Sequence, residues 1–360
     1  MPIITRKIQI SPQGDKEEIN YIWDTLRGFE ETTFRAANYI ATHSFVQEKI
    51  GEFSYFHDDI KLKLLNREKD ESGIFNTSPQ NTTYRMISLK YKGDVPSGIY
   101  NQVNSVVRKS FESEKKDLFT GKRSLRSYKR GMPIPFGKKD IRQLTKVGSD
   151  KGNYSFTLFG MRFKTYFGKD LSGNEIIMDR AISGEYAMCD SSIQIKNNKI
   201  FLLVVVKFEA NKADLKPEKE LVARLGILTP IEFEVGKNTY TIGSKEEFLH
   251  RRLQIQEGRK RLQISMRFNG GGSGRKKKMK ALDRYDLAEK NYVTTRVHQY
   301  TANLIDWCLK LKCGKLILKD QESVEDVVKG NDFLLRNWGY FGIKDKLKYK
   351  CGLHGIELIT

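Results

Sequence analysis

Residues Leu221 to Val235, LVARLGILTPIEFEV, read as two apolar-alternating runs joined by a turn, a β-hairpin that launches a new domain. Arg224 is the odd residue, a single cation on an otherwise buried-looking strand. It is followed by Leu225-Gly226 and then by the alternating run Ile231-Glu232-Phe233-Glu234-Val235. Downstream, the pattern predicts a strand near Asn238 to Ile242, a long helix from Lys245 to Met266, and a mobile basic loop within Asn269 to Lys278 (NGGGSGRKKK). A second long helix follows from Met279 to Lys312, ended by Gly314. A strand at Lys315 to Leu318, an amphipathic helix from Phe333 to Lys350 and a last strand from Gly355 to Thr360 complete a mixed α/β layer.

Upstream of the hairpin, Asn211 to Glu220 is charged and contains Pro217, which predicts a linker. At the other end, residues 1 to 11 alternate as a strand, broken by Pro12-Gln13-Gly14. From Glu17 to Ile50 the period becomes helical, with Ile19, Ile22, Trp23, Leu26 and Phe29 three and four residues apart. This helical lobe continues through Asp58 to Leu65, is interrupted by the polar stretch Asn66 to Asn81, and resumes at Tyr84 to Leu89 and Gly98 to Leu118.

Near Thr120 the texture changes. TGKRSLRSYKRGMPIPFGKKDIRQLTK, from Thr120 to Lys146, carries nine Lys or Arg against one acid, and Pro133 and Pro135 forbid a helix, so the segment is extended and basic. Beyond it Tyr154 to Phe167, Glu175 to Met178 and Ile193 to Phe208 alternate as strands, with turns at Ser172-Gly173-Asn174 and Asn197-Asn198. These strands suit a small β-barrel or curled sheet, to which the first strand returns across the inserted lobe.

At 360 residues and 39% hydrophobic content the chain can bury a sizeable core. A net charge of +20 favours a polyanionic partner, because each phosphate neutralised by Lys or Arg releases condensed counterions. An apolar run of about eighteen residues is absent, and Ile200 to Phe208 has strand length, so no membrane span is expected. MPIITRKIQI lacks the apolar core of a signal peptide, which places the chain in the cytoplasm, and no basic amphipathic helix suits a membrane surface. The cysteines at 189, 308, 313 and 351 form no CxxC pair and no zinc spacing with the histidines; buried reduced thiols are expected.

Two basic regions are candidates for nucleic-acid contact. In the first, Lys122, Arg123, Arg126, Tyr128, Lys129, Arg130 and Arg142 combine phosphate-binding cations with an aromatic that could stack on a base or equally pack in the core. In the second, His250 to Arg284 holds a dozen Lys or Arg against Glu257 and Asp283, and Arg251, Arg252, Arg259, Arg261, Arg275, Lys276, Lys277, Lys278 and Arg284 could line a duplex. The same pattern also suits a solvated face. Gly270 to Lys278 lacks the spacing of a nucleotide-triphosphate loop. Asp320, Glu322, Glu325 and Asp326 follow the strand at Lys315 to Leu318, where α/β folds place ligands, but acids there also serve helix capping. Neither paired carboxylates nor a Ser-His-Asp set emerges.

Five short stretches, in order, resemble the miniature type V-F CRISPR effectors, which are related to the transposon-encoded TnpB nucleases. Ser127-Tyr128-Lys129-Arg130 with Pro133-Ile134-Pro135 is similar to the entry to that family's β-barrel, and Ile177-Met178-Asp179-Arg180 with Ser183-Gly184-Glu185-Tyr186 to its signature. Leu221 to Gly226 resembles the first RuvC motif, G-[IV]-D-L-G, and Leu316 to Gln321 (LILKDQ) the second, in which a strand ends in Glu-Asp-Leu. Phe333 to Tyr349, with Asn337-Trp338, resembles the helix before the third.

The resemblance implies a multidomain α+β fold. A wedge-type β-barrel with an inserted helical recognition lobe precedes an RNase H-like (RuvC) α/β domain that lacks its C-terminal part, since the sequence ends at Thr360. Its divisions are residues 1–16 (first barrel strand), 17–119 (lobe), 120–210 (barrel), 211–220 (linker) and 221–360 (RuvC-like domain). In the active family the Asp of the first motif and the Glu of the second, with an Asp of the third, hold magnesium. Here Arg224 and Lys319 stand at the first two positions, and the third motif is absent from the sequence. Cations there repel Mg²⁺.

The resemblance therefore implies guide RNA as cofactor, no catalytic metal, and a nuclease-inactive protein that targets double-stranded DNA beside a short flanking motif. Such a protein would regulate transcription, through an alternative sigma factor that brings RNA polymerase or by promoter occlusion. Pairing of two protein copies on one guide is a family habit, which makes a homodimer an expectation. An active endonuclease with atypical ligands and a non-targeting RNA-binding scaffold are the alternatives.

Overall fold

The structure, a computed structural model, describes residues 2–54, 78–148, 153–168, 173–209, 215–268, 272–319 and 321–360. The chain divides into two units, Ile3–Phe208 and Glu209–Thr360.

In the first unit, β1 (Ile3–Pro12) buries Ile4, Ile8 and Ile10 on one face, as period-two alternation requires. Asp15 then starts α1 (Lys16–Ser54): its carboxylate accepts from the Glu18 N–H at 2.8 Å, while the Glu18 carboxylate accepts from the Asp15 N–H at 3.1 Å, a reciprocal cap. α2 (Pro79–Lys90) is capped by Ser78 and begins with proline, and α3 (Ser97–Phe119) buries Ile99, Val103, Val107 and Phe111. Helix α1 contributes Ile22, Leu26, Ala37 and Ile40 to the core. The expected helix at Asp58 to Leu65 and most of the polar interruption after it lie outside the described residues.

The sheet of this unit adds β2 (Ile134–Phe136), β3 (Ile141–Lys146), β4 (Tyr154–Leu158) and β5 (Met161–Tyr166). After α4 (Asn174–Ile182) come β6 (Ala187–Met188), β7 (Ser191–Lys196) and β8 (Lys199–Lys207). All its ladders are antiparallel, in the order β2-β7-β8-β1-β5-β4-β3 with β6 beside β8. The first strand thus returns to the middle of the sheet, between β8 and β5, although α1, α2 and α3 intervene in sequence before β2. Two-residue turns with positive φ at Phe159-Gly160 and Asn197-Asn198 close the β4–β5 and β7–β8 hairpins.

Two expectations for this unit change. Glu175 to Met178 belongs to the helix α4 and not to a strand; Ile176, Ile177 and Met178 are consecutive apolar residues that fit either period. The basic segment contributes two strands, β2 and β3. Pro135 is tolerated because β2 is an edge strand, whose missing N–H faces away from β7.

The second unit is built on β9 (Lys216–Arg224), β10 (Ile231–Val235) and β11 (Asn238–Ile242), followed by the helices α5 (Lys245–Arg267) and α6 (Ser273–Lys310). Then come β12 (Cys313–Lys319), α7 (Gln321–Gly330), α8 (Asp332–Asn337), α9 (Tyr340–His354) and β13 (Glu357–Ile359). Sheet order is β11-β10-β9-β12-β13. The first three strands are antiparallel to one another, while β12 runs parallel to β9 and to β13. The hairpin at Leu221 therefore organises the sheet, with Leu221, Ala223, Ile231, Phe233, Leu316 and Leu318 packed against Leu304, Trp338 and Leu347 of the helices.

Four details differ from the sequence pattern. Lys216 to Glu220, expected as linker, is the first half of β9, paired with Cys313 and Lys315 across an irregular step; residues 211–214 lie outside the described residues. Gly314 lies in that step, where a Cβ would stand 2.7 Å from the Lys216 carbonyl oxygen, so close strand approach and not helix termination explains it. Ser273 to Lys278 forms the first turns of α6, which therefore absorbs part of the expected loop. The predicted helix from Phe333 to Lys350 is two helices, broken where Trp338 turns extended and enters the core beside Phe248. No described helix is long and apolar enough to cross a membrane.

Candidate functional site

Arg224 is the last residue of β9 and Lys319 the last of β12, and the two are register partners on these adjacent parallel strands. Alternation puts Leu221 and Ala223, and likewise Leu316 and Leu318, on the buried face; Arg224 and Lys319 leave from the other face and are exposed. The cation that looked misplaced on a buried strand is thus its solvent-facing end. On its other side Arg224 is in register with Glu232 of β10.

Both strand ends are braced. The Gln321 side-chain amide donates to the Lys319 carbonyl at 2.7 Å, and the Tyr340 hydroxyl donates to Gln321 Oε1 at 2.6 Å. Burial, then the nearby Glu325, pushes the Tyr340 hydroxyl up to about 12, so it stays a donor. The Trp338 indole N–H donates to the Gly226 carbonyl at 3.3 Å just beyond β9.

Divalent-metal catalysis needs several carboxylate oxygens aimed at one point. Asp320 lies outside the described residues, Glu322 and Asp326 are exposed on α7, and Glu325 bonds to Lys344 (2.7 Å) and Lys329 (3.2 Å), which hold its carboxyl below its ordinary value. Among the described residues no group of three or more His, Cys, Asp or Glu converges on a point.

The basic residues of the first unit divide by partner. Arg123 and Arg126 both bond to Glu114, and Arg130 bonds to Glu31, which also holds Arg35. Lys122, Lys129 and Arg142 are exposed and have no carboxylate partner among the described residues. Tyr128 is half-buried. Its N–H donates to Asn38 Oδ1 and its carbonyl accepts from Asn38 Nδ2, each at 2.8 Å, while burial pushes its hydroxyl up. Its backbone fastens the basic segment to α1.

In the second unit α5 and α6 form a tight antiparallel pair, with Gly258 under the Tyr285 ring, where a Cβ would stand 2.9 Å away. Arg252 is largely buried, donating to Glu289 at 2.8 Å and to the Asn337 carbonyl at 2.6 Å. Burial opposes the charge on Glu289, but bonds from Gln256 and Arg252 prevail and hold its carboxyl below its ordinary value. Arg259 pairs with Asp286 at 2.9 Å, and Lys278 donates to the Ser265 carbonyl at 3.1 Å. These three residues, named in the sequence among those that could line a duplex, tie helices together.

Arg261 lies 3.7 Å from Glu257, and among the described residues Arg251 bonds to Gln254 alone. Arg275, Lys277 and Arg284 are exposed and have no carboxylate partner among the described residues; the Lys276 side chain lies outside them. Phe268, just past the end of α5, is 84% exposed beside Arg267.

No family model matches the chain. It is 26% identical over 327 residues to the CRISPR-associated endodeoxyribonuclease Cas12f1 of Sulfoacidibacillus thermotolerans, which covers 86% of this chain and 75% of that one. It is 25% identical over 225 residues to the protein of the same name from Syntrophomonas palmitatica, 59% of this chain and 43% of that one. The chain therefore spans three quarters of one relative and less than half of the other. A solved complex of Cas12f1 with sgRNA and target DNA shares the fold at a TM-score of 0.70, over 99% of this chain and 88% of that one, at 12% identity.

Proposed function

We propose that this chain, which is related to the miniature type V-F CRISPR effectors, is an RNA-guided DNA-binding protein that holds double-stranded DNA without cutting it and thereby regulates transcription. One observation carries the reading: Arg224 and Lys319 stand in register at the strand ends where the resemblance expects the metal-holding Asp and Glu. In this reading the sheet of three antiparallel strands continued by two parallel ones is a RuvC-like, RNase H-type domain kept as a scaffold. The antiparallel sheet around β1 is the wedge, α1 to α3 are the recognition lobe, and both degenerate positions repel the magnesium that cutting would require.

Guide RNA is the cofactor of this reading, and double-stranded DNA beside a short flanking motif is the target. Base pairing supplies the sequence; the protein supplies cations for phosphate and shape for the heteroduplex. The exposed Lys122, Lys129, Arg142, Arg251, Arg261, Arg275, Lys277 and Arg284 suit that work, at a net charge of +20. A complex that stays on uncut promoter DNA either blocks polymerase or, with a sigma factor docked on it, recruits polymerase.

The relatives' name supplies the competing reading, an active endonuclease. Incubating the chain with its guide, matching duplex and Mg²⁺ separates the two. We expect guide-matched footprinting protection and no cleavage beyond an EDTA control; EDTA-sensitive products would sink the proposal. Protection that is the same with a scrambled guide would instead make the chain a plain RNA-binding scaffold.

A further inference from the structure

We propose that the outer edge of β11, with the groove between it and α6, binds an extended polypeptide segment of a partner protein as a sixth strand of the second sheet. The inference goes beyond the nucleic-acid reading and does not rest on it. β11 is a terminal strand of that sheet and is in regular register with β10 from Asn238 to Ile242. The two-residue turn Gly236-Lys237 makes Val235 and Asn238 the closing hydrogen-bonded pair, so Phe233–Tyr240 and Ile231–Ile242 are the bonded pairs that follow. The N–H and C=O groups of Thr239 and Thr241 therefore point away from β10. Both residues are exposed, and among the described residues nothing bonds to these backbone groups. Edge strands are usually blunted by lysine, proline or a bulge, and Asn238-Thr239-Tyr240-Thr241-Ile242 has none of them. It is an open template.

The surroundings fix the occupant. A groove of about 600 Å³ lies between the end of β11, at Thr241 and Ile242, and the α6 residues Tyr300, Asn303, Trp307 and Lys310. On this face the Tyr240 and Trp307 ring centroids are 5.0 Å apart, and Phe233 lies 5.5 Å from each. A side chain set opposite Tyr240 on an added strand points the same way and meets this aromatic wall. Its neighbours, opposite Thr239 and Thr241, point to the other face, where Glu234 stands in register with Thr239. Glu234 is exposed and has no cationic partner among the described residues. Two strand spacings, about 10 Å, separate it from the added strand, a gap that an arginine and a glutamate side chain bridge together. The segment that fits thus alternates apolar and basic residues. Nucleic acid is the poorer occupant, because Glu234 and Lys237 of the hairpin and Glu247, Asp306, Arg296 and Lys310 of the groove sum to no net charge, on a chain of +20. β11 of a second copy is poorer too, since it brings no cation to Glu234.

The test uses the full chain, with the RNA it carries on purification, and a synthetic peptide of about seven residues that alternates arginine and valine and is blocked at both ends. Hydrogen exchange read by mass spectrometry should show new protection in the segment holding Thr239 and Thr241, whose amides otherwise face solvent. No protection at saturating peptide would overturn the proposal, as would equal protection by a peptide with its arginines and valines in separate blocks. Protection of the same segment by an oligonucleotide, single-stranded or duplex, would overturn it in favour of a nucleic-acid surface. Thr241→Pro removes an outward N–H and spares the bonds to β10; it should weaken the peptide about tenfold. The native chain should lose as much affinity for a peptide N-methylated at alternate residues, which probes the same hydrogen bonds without touching the fold. Unchanged affinity in either case sinks the added strand. Glu234→Lys should weaken the arginine peptide about fivefold and strengthen one with glutamate in place of arginine; shifts of the same sign for both peptides, or none, would refute the basic occupant. No step needs a guide, so the outcome is independent of whether guided protection or cleavage is found.

Discussion

Arg252 lies 2.8 Å from Glu289 and 2.6 Å from the Asn337 carbonyl, whereas Arg275 stands in solvent on the same pair of helices. Removing the first leaves a largely buried carboxylate without its cation, so Arg252→Ala should lower stability by about 3 kcal/mol; Arg275→Ala should change it by less than about 0.5 kcal/mol. Denaturant unfolding of both variants measures the contrast. Glu289 adds a pH dependence. Its folded value is depressed, so its contribution is fully present above the unfolded value near 4.5 and is lost as pH falls through the folded one. Stability of Glu289→Gln should therefore change less between pH 6 and 3 (about the range of carboxylate titration) than that of the native chain. The thiols make a third test. Burial pushes Cys308 and Cys351 up to about 12, and Cys313 is buried as well, so only Cys189 of the four should react with a maleimide before unfolding. Mass spectrometry of the labelled native chain reads the stoichiometry.

Gly314 shows at the level of elements what a single methyl group can do. A Cβ there would press on two backbone atoms, the Lys216 carbonyl oxygen and Pro217 Cα, both at 2.7 Å, and neither can rotate away. Gly314→Ala should part β12 from the start of β9 and cost about 2–4 kcal/mol, readable as a lower denaturation midpoint. Strands that bury one face, such as β8 with its strict alternation, were legible in the sequence because the period of two has no competitor over nine residues. The hairpin at Leu221 was legible for the same reason. Three contiguous apolar residues at Ile176 to Met178 were not, since they satisfy both periods. Lys216 to Glu220 looked like linker because all five residues are exposed; its partner, β12, lies nearly a hundred positions away and gives no local sign. Of the candidate site, Arg224 and Lys319 were visible as anomalies, but their side-by-side register was not. Which arginines bind acids within the chain, and which face water, depends on Glu114, Glu289 and Asp286, none of them placed by local pattern.

At the scale of the whole molecule, the +20 charge is distributed unevenly between cations tied into the fold and cations left in solvent. Binding to DNA should weaken steeply with salt, and substitution of the exposed Lys122, Lys129, Arg142, Arg275 or Lys277 should each flatten that dependence alike for every sequence, because phosphate contacts carry no sequence information. A variant that altered the preference for one sequence over another would contradict that picture.

The central place of β1 carries a consequence for synthesis. Ile3 pairs with Lys207, so the strand made first must wait for the strand made last in its unit. At ~5–20 residues per second the ribosome imposes a delay on the order of 10–40 s. Until β5, its other partner, has been made, Ile4, Ile8 and Ile10 have no sheet to enter, while α1, with its capping box already complete, is free to form. Until β5 and then β8 emerge, the nascent unit thus carries an unsheltered apolar strand, and a chaperone that binds short extended apolar segments has its target there.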